Sequence, residues 1–143
     1  MSVLLETSLG DLVVDLYTKE CPRASQNFLK LCKVKYYNNT LVYDVQKDYI
    51  AQCGDPTNTG NGGTSIWGLV SGRPDKRYFD DELYGKRLFN RKGLVAMSNR
   101  GPNMNASAFF ITLTSEGLAH EMHKRHTIIG EVAEGLEVLD RIN

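Results

Sequence analysis

The segment HEMHKRH, residues 120–126, carries three histidines at intervals of three residues. On a helix, imidazoles at this spacing can share a metal ion, and Glu121 adds a possible oxygen ligand. The segment has the character of a connection between elements, however, and Lys124 and Arg125 place two positive charges beside the rings. We therefore predict that no metal binds here, whereas His126, which opens a β-prone run, can face something specific.

The other reactive residue types lack the sequence setting that their chemistry needs. The glycine-rich run GDPTNTGNGGTSIWG, residues 54–68, has neither the phosphate-binding order G-x-x-x-x-G-K-[ST] nor an expected helix after it, which favours a structural surface loop. Ser98, Ser107 and the cysteines have no nucleophile-elbow or papain-like motif around them. The acidic residues at 80–82 lie in a polar segment and are predicted to be solvated. The sequence carries no cofactor signature.

Composition restricts the remaining classes. The 143 residues suit one domain, with 41% hydrophobic and 24% charged residues, as in an ordinary globular protein. Lys+Arg and Asp+Glu both number 17, so net charge does not draw the domain to nucleic acid or to a membrane. The three cysteines cannot all pair within the chain and are predicted to be reduced thiols. Neither a secretory signal nor a membrane-spanning run is evident.

The elements that must position these residues are mostly short strands. A hairpin is predicted around the turn at 8–11, and a helix over 21–33 with Pro22 in its first turn. Further strands are expected at 40–43, 49–52, 93–99, 106–114 and 126–135, and a closing helix at the C-terminal end with Leu136, Leu139 and Ile142 inward. In the alternating run FFITLT, Phe109 and Phe110 must face opposite sides, which argues against an aromatic platform for RNA. The pattern indicates α+β, with a barrel or sandwich capped by two helices.

Several segments together resemble the cyclophilins. They are, in chain order, NFLKLC (27–32), YY (36–37), QCGDPTNTGNGGTSIWG (52–68), FDDE (79–82), GLVAMSN (93–99), GPNMNASAFFITL (101–113) and HTIIGEVAEGLEVLDRI (126–142). The resemblance covers essentially the whole chain, residues 1–143. It is strongest to nuclear cyclophilin-like proteins that carry a C-terminal RNA-recognition motif.

The resemblance implies a mainly β fold, namely a closed eight-stranded antiparallel barrel capped by two helices. The family pattern continues past Asn143 into a last strand, so we expect a fragment of a longer protein in which that strand is missing from this chain. The resemblance also implies a monomer that binds proline-containing segments and works beside RNA-processing proteins, in the nucleus and, as a second compartment, the cytoplasm. It implies no cofactor and no direct contact with nucleic acid or membrane.

The reaction of the family is cis–trans isomerisation of the peptide bond before proline, whose barrier is roughly 18–20 kcal/mol. A catalyst seats the proline ring, clamps the flanking backbone and donates a hydrogen bond to the twisted amide; in the family that donor is an arginine. By resemblance, Phe110 lies under the proline ring and His126 on the rim. The expected substrate-binding set is Tyr49, Ile50, Gln52, Ser98, Asn99, Arg100, Ala108, Phe110, Leu118 and His126.

Four departures from the family pattern affect this expected site. Asp44 stands where the catalytic arginine belongs, Ala108 replaces a usual glutamine, and Arg100 replaces a small residue. The pocket tryptophan is missing, with Gly117 near its place, which predicts poor binding of the family's cyclic peptide inhibitor. An ionised carboxylate only accepts hydrogen bonds, so Asp44 cannot replace the donor.

Three functions follow, and the residue at position 44 separates the first two. The chain is an isomerase domain with weak or lost turnover, a non-catalytic reader of proline segments in a spliceosome-like complex, or a scaffold whose pocket is a relic. An alternative for the donor also stays open: Asp44 points to solvent, and Lys47 or Arg100 reaches in instead.

Overall fold

The computed structural model of the protein describes residues 1–83, 87–118, 122 and 124–143. Within these ranges the strands are β1 (Ser2–Thr7), β2 (Gly10–Leu16), β3 (Asp44–Gln46), β4 (Ile50–Cys53), β5 (Leu94–Asn99), β6 (Asn105–Thr112) and β7 (Ile128–Glu134). The helices are α1 (Pro22–Lys33), α2 (Ile66–Ser71) and α3 (Leu136–Ile142), and a single 3₁₀ turn spans Pro74–Lys76.

All seven strands join one antiparallel sheet in the order β1-β2-β7-β5-β6-β4-β3. The prediction of a mainly β, antiparallel fold with capping helices is confirmed. Two details differ in the described part of the chain: the sheet is a seven-stranded half-barrel rather than a closed barrel of eight, and three helices replace the predicted two.

Strand β6 separates two apolar clusters because its side chains alternate between the two faces of the sheet. Phe109 belongs to the main core, where its ring meets Phe28 of α1 edge-on at 5.1 Å and Tyr37 at 5.3 Å. Phe110 faces a second cluster on the other side. The predicted opposite orientation of the two phenylalanines is therefore confirmed, and α1 covers the side of β6 that bears Phe109.

Helix α1 begins where the sequence predicts, with Pro22 in its first turn. Its first free N–H groups are not left to solvent, because the carboxylate of Glu82 accepts hydrogen bonds from the backbone N–H of Ala24 at 2.7 Å and of Arg23 at 3.3 Å. Asp81 likewise accepts from the side-chain amide of Asn105 at 2.7 Å. The prediction that the acidic residues at 80–82 are merely solvated is therefore wrong for two of the three.

Three other local predictions need correction. The strand expected at 40–43 lies at Asp44–Gln46, because a turn containing Asp48, at φ +56°, sets the pairing with β4. A helix does begin at the end of the glycine-rich run: α2 starts at Ile66, and Ser65 caps it by accepting from the Gly68 N–H at 3.1 Å. In α3 the fully buried residues are Val138 and Leu139, whereas Leu136 is 44% exposed.

The three cysteines form no disulfide. Burial raises the pKa of Cys21 to about 12 and that of Cys32 to about 11. Both thiols are therefore protonated at neutral pH and poorly suited to nucleophilic chemistry. Among the described residues no helix is long and apolar enough to span a bilayer.

Candidate functional site

The candidate site is built on one row of residues across four neighbouring strands. Asp44 of β3 pairs with Gln52 of β4, Gln52 pairs with Phe110 of β6, and Phe110 pairs with Ala96 of β5. Side chains directly opposite each other in an antiparallel sheet lie on the same face. The register therefore brings the carboxylate, the amide and the aromatic ring, which are separated by up to 66 positions in the sequence, to one surface.

Phe110 forms the apolar floor of this surface. Its side chain is only 1% exposed, stacks on Phe89 with ring centroids 5.7 Å apart, and meets the His126 ring edge-on at 5.2 Å. Ile50 is buried in the same second cluster, and Leu118 packs against it. Tyr49 also packs against this cluster, so the predicted apolar positions do lie together.

Asp44 is tied to the row by side-chain amides. Its Oδ2 accepts hydrogen bonds from Nε2 of Gln52 at 3.2 Å and from Nε2 of Gln46 at 3.4 Å. The hydroxyl of Ser98 donates to Oε1 of Gln52 at 3.1 Å, which completes a chain Ser98–Gln52–Asp44. This series of hydrogen bonds fixes the orientation of the Gln52 amide, since the amide oxygen and one of its N–H groups are both hydrogen-bonded.

The alternative in which Lys47 or Arg100 reaches into the site in place of Asp44 finds no support for Arg100 in the described part of the chain. Neither Lys47 nor Arg100 forms an ion pair with Asp44 there. Arg100 is exposed, and its Nη1 contacts the Asn61 carbonyl oxygen at 3.4 Å and the Tyr78 hydroxyl at 3.5 Å. Its guanidinium is thus directed to the glycine-rich loop.

His126 is half-buried at the edge of the floor. Its Nδ1 lies 3.0 Å from the Met97 carbonyl oxygen, and since a carbonyl only accepts, Nδ1 carries the proton and Nε2 is left as an acceptor in the neutral ring. Burial lowers the pKa of His126, outweighing the opposing effect of the Met97 hydrogen bond. The imidazole is therefore neutral at physiological pH.

Asn99 and Ala108 complete the predicted set. The Asn99 side chain donates to the Arg125 carbonyl and accepts from the Gly101 N–H at 3.3 Å, so it holds the backbone on both sides of the site. Ala108 is buried on β6, two residues from Phe110 and hence on the same face. Its methyl group offers the site no hydrogen bond, unlike the glutamine that the family pattern has there.

Gly117, near the expected place of the missing tryptophan, admits no side chain. Gly117 has φ +87°, and a Cβ atom built on it would lie 2.2 Å from the Phe89 carbonyl oxygen. The next residue, Leu118, donates its N–H to that same oxygen at 2.8 Å. The close approach of these two backbones requires glycine, so a tryptophan cannot be restored at this position without moving the chain.

The role of Asp55, in the glycine-rich loop, is not among the predictions made from the sequence. This carboxylate is fully buried and accepts hydrogen bonds from four backbone N–H groups, those of Thr57, Thr59, Gly60 and Gly62, and from the hydroxyls of Thr57 and Thr59. Burial raises its pKa, but the hydrogen bonds led by those from Thr57 and Gly62 prevail and lower it to about 2. The available signal was an aspartate ahead of small polar residues and glycines, which is typical of side-chain-to-backbone turns.

The histidine pattern cannot be followed in full, because His120, Glu121 and His123 lie outside the described residues. Among the described residues no group of three or more His, Cys, Asp or Glu side chains is arranged to hold a metal ion.

Comparison with known proteins shows which family the chain resembles along its whole length. The family described as cyclophilin type peptidyl-prolyl cis-trans isomerase/CLD matches residues 2–143. The chain is 50% identical over its full length to human "Peptidyl-prolyl cis-trans isomerase-like 4" and spans 28% of that relative. It is 47% identical over 91% of its length to the zebrafish (Danio rerio) "Spliceosome-associated protein CWC27 homolog", of which it covers 25%.

A solved structure shows the same fold. It is a Cryptosporidium parvum cyclophilin type peptidyl-prolyl cis-trans isomerase crystallised in the presence of the dipeptide Ala-Pro, with a TM-score of 0.87 and 38% identity. The match covers 99% of this chain and 84% of that one.

Proposed function

The chain belongs to the cyclophilin-type peptidyl-prolyl cis-trans isomerase family, and we propose that its Phe110 surface binds proline-containing peptide segments while catalysing their isomerisation only weakly. The observation that carries the proposal is the Asp44 carboxylate bound to the Gln52 amide at the edge of that surface. Where the family supplies a hydrogen-bond donor, this chain supplies an acceptor.

Binding is supported by the apolar floor. Phe110, Ile50 and Leu118 form one apolar cluster, in which Phe110 is held between Phe89 and His126. Because Phe110 is only 1% exposed, a proline ring reaches it after the side chains that cover it move. Two polar groups at the edge have no hydrogen-bond partner among the described residues and can bind the peptide backbone: the second N–H of Gln52 and Nε2 of neutral His126. Such a surface suits a short extended segment containing one proline.

Weak catalysis follows from the charge at position 44. Twisting the peptide bond leaves its nitrogen and carbonyl without resonance, and a positioned donor stabilises that state. Loss of a preorganised donor costs about 2.7–4 kcal/mol in the transition state, which is a factor of about 10² to 10³ in rate. A carboxylate in the donor's place adds an unfavourable negative charge.

A second candidate function is a non-catalytic reader in an RNA-processing assembly, in the nucleus. Asp44 favours this function, because a surface that binds proline without catalysing isomerisation can still recognise a proline-containing segment. A relative whose name states spliceosome association supports this setting. The chain covers about a quarter of the length of the relatives cited above, so substrates and partners of any longer protein belong to this proposal too. A scaffold that leaves the Phe110 surface unused is the third possibility.

The test compares three proteins in a protease-coupled proline-isomerisation assay: the natural chain, Asp44→Arg and Asp44→Asn. We expect a rate well below that of an arginine-bearing cyclophilin for the natural chain, and a gain of about tenfold or more for Asp44→Arg. The control Asp44→Asn removes the charge but restores no cationic donor, so it should gain much less. A natural rate equal to that of the arginine-bearing enzyme contradicts the proposal.

Binding is measured separately by amide NMR with a panel of proline peptides. Shifts at Phe110 and Asn99 without measurable turnover favour the reader. If these residues show no shifts and Asp44→Arg shows no gain in rate, the scaffold is the function that remains.

A further inference from the structure

A concave surface lies between α1 and α2, outside the candidate site. Its volume is about 330 Å³, and we call it the α1–α2 groove. The residues that line it come from the C-terminal end of α1 and from α2: Lys30, Lys33, Val34, Ile66, Trp67 and Val70. None of them belongs to the candidate site.

Several apolar side chains at the groove are exposed to solvent. Val70 is 79% exposed and Val34 is 54% exposed, although both border the same concavity. Leu69, beside Val70 on α2, is 42% exposed. Isolated exposed apolar residues are ordinary, but several around one concave site are typical of a binding surface.

The rim of the groove is basic. The stretch 22–35, which includes α1, contains Arg23, Lys30, Lys33 and Lys35 and no acidic residue, although the chain as a whole has zero net charge. Within the described residues neither Lys30 nor Lys33 is in an ion pair, whereas the nearby Asp75 is already held by Arg73. Cations at the end of α1 also suit the helix dipole, but that effect does not account for the exposed valines.

Trp67 contributes to both the apolar and the basic character of the groove. One face of its ring is covered by the Arg23 guanidinium, 4.4 Å from the ring centroid, and the ring meets Phe79 edge-on at 5.5 Å. With this face covered, less of the ring is available for stacking with nucleobases, which favours a peptide partner over a nucleic acid. The ring instead makes a fixed apolar wall with a positive charge beside it.

We propose that the α1–α2 groove binds an acidic peptide segment of a partner protein. One aliphatic or aromatic side chain of the segment lies between Val34, Trp67 and Val70, and flanking carboxylates pair with Lys30 and Lys33. Charge complementarity and the apolar lining select this partner chemistry together.

The groove and the candidate site can be occupied at the same time. Helix α1 packs on the side of β6 that carries Phe109, through Phe28, whereas Phe110 faces the opposite side. A partner in the groove therefore leaves the Phe110 surface free. This inference does not depend on the proposed proline binding.

The test is amide NMR of the protein with two short synthetic peptides. One has a single leucine and a single tryptophan among glutamates, and the other has lysines in place of the glutamates. We expect the acidic peptide to shift Val34, Trp67 and Val70 but not Phe110, and the basic peptide to shift none of them.

Two double charge reversals sharpen the result. Lys30→Glu with Lys33→Glu should weaken binding of the acidic peptide by about tenfold, because two exposed ion pairs are lost and reversed. The matched control, Lys19→Glu with Lys124→Glu, changes the net charge equally and should leave binding within about twofold. A further variant, Val70→Ser, should weaken binding while keeping its salt dependence.

Three outcomes overturn the proposal. They are no shifts in the groove at millimolar acidic peptide, equal binding of the acidic and the basic peptide, and shifts of the groove residues by single-stranded RNA but not by the acidic peptide.

Discussion

Asp44 and Asp55 lie eleven positions apart in the sequence, on either side of β4, and the fold uses them in opposite ways. Asp55 is fully buried and accepts six hydrogen bonds within its own loop. Asp44 is half-buried and accepts two from the part of the chain that the structure describes, both from glutamine amides. A carboxylate has about four acceptor sites, so Asp55 is saturated whereas Asp44 keeps capacity for a ligand.

Within one short stretch, the carboxylate of Asp55 therefore stabilises the fold, whereas that of Asp44 is available to a ligand. The donors of Asp55 are mostly backbone N–H groups, and within the described ranges these groups have no acceptor besides this carboxylate. The donors of Asp44 are side chains near solvent, which water can satisfy. Substitutions at the two positions should therefore affect different properties of the protein.

The largest expected effect is on stability. Asp55→Ala should lower the free energy of unfolding by about 3 kcal/mol, because it removes the charged acceptor shared by four backbone N–H groups of the loop. Asp44→Ala should change it by less than about 1 kcal/mol, as expected for a partly exposed residue without buried donors. Chemical denaturation of both variants measures the difference, and equal effects would show that the two carboxylates are not distinct in kind.

The same two residues show what the sequence can and cannot indicate. An unusual residue at position 44 is visible once the family pattern is matched, because it is a difference in one letter. The importance of Asp55 is not visible in that way, since it depends on how a loop of glycines and threonines closes around the carboxylate. Local sequence gives the composition of such a loop but not its path.

Other successes and failures follow the same division. Alternation along β6 is a local property, and it correctly placed Phe109 and Phe110 on opposite faces. Helix α2 has six residues with a glycine inside, and its first N–H donates to the side chain of Asn27 in α1 at 2.7 Å. That contact joins residues 39 positions apart, so no helical periodicity could reveal it.

A second prediction uses the acid side of stability. The pKa of Asp55 is lowered from 3.8 to about 2, so its contribution is present above about pH 4 and is lost as pH falls toward 2. The loss amounts to about 2 kcal/mol for this group. Asp55→Asn should be less stable at neutral pH but should lack this part of the acid dependence, whereas Asp44→Asn should retain it. Denaturation curves from pH 5 to pH 2 measure it, and parallel slopes for the natural chain and Asp55→Asn would contradict it.

The smallest expected effect concerns peptide choice at the Phe110 surface. Because Asp44 keeps acceptor capacity, a proline peptide with lysine beside the proline should bind about threefold more tightly at low salt than the same peptide with glutamate there. The preference should fade at high salt, since the carboxylate is partly exposed. Asp44→Asn should abolish the preference.

The matched control is Asp48→Asn, which removes an equal charge from the turn after β3. Asp48 has a φ of +56°, which asparagine tolerates. Titration of all three proteins with both peptides measures the effect: if Asp48→Asn removes the preference as fully as Asp44→Asn does, the preference comes from net charge rather than from the carboxylate beside Gln52.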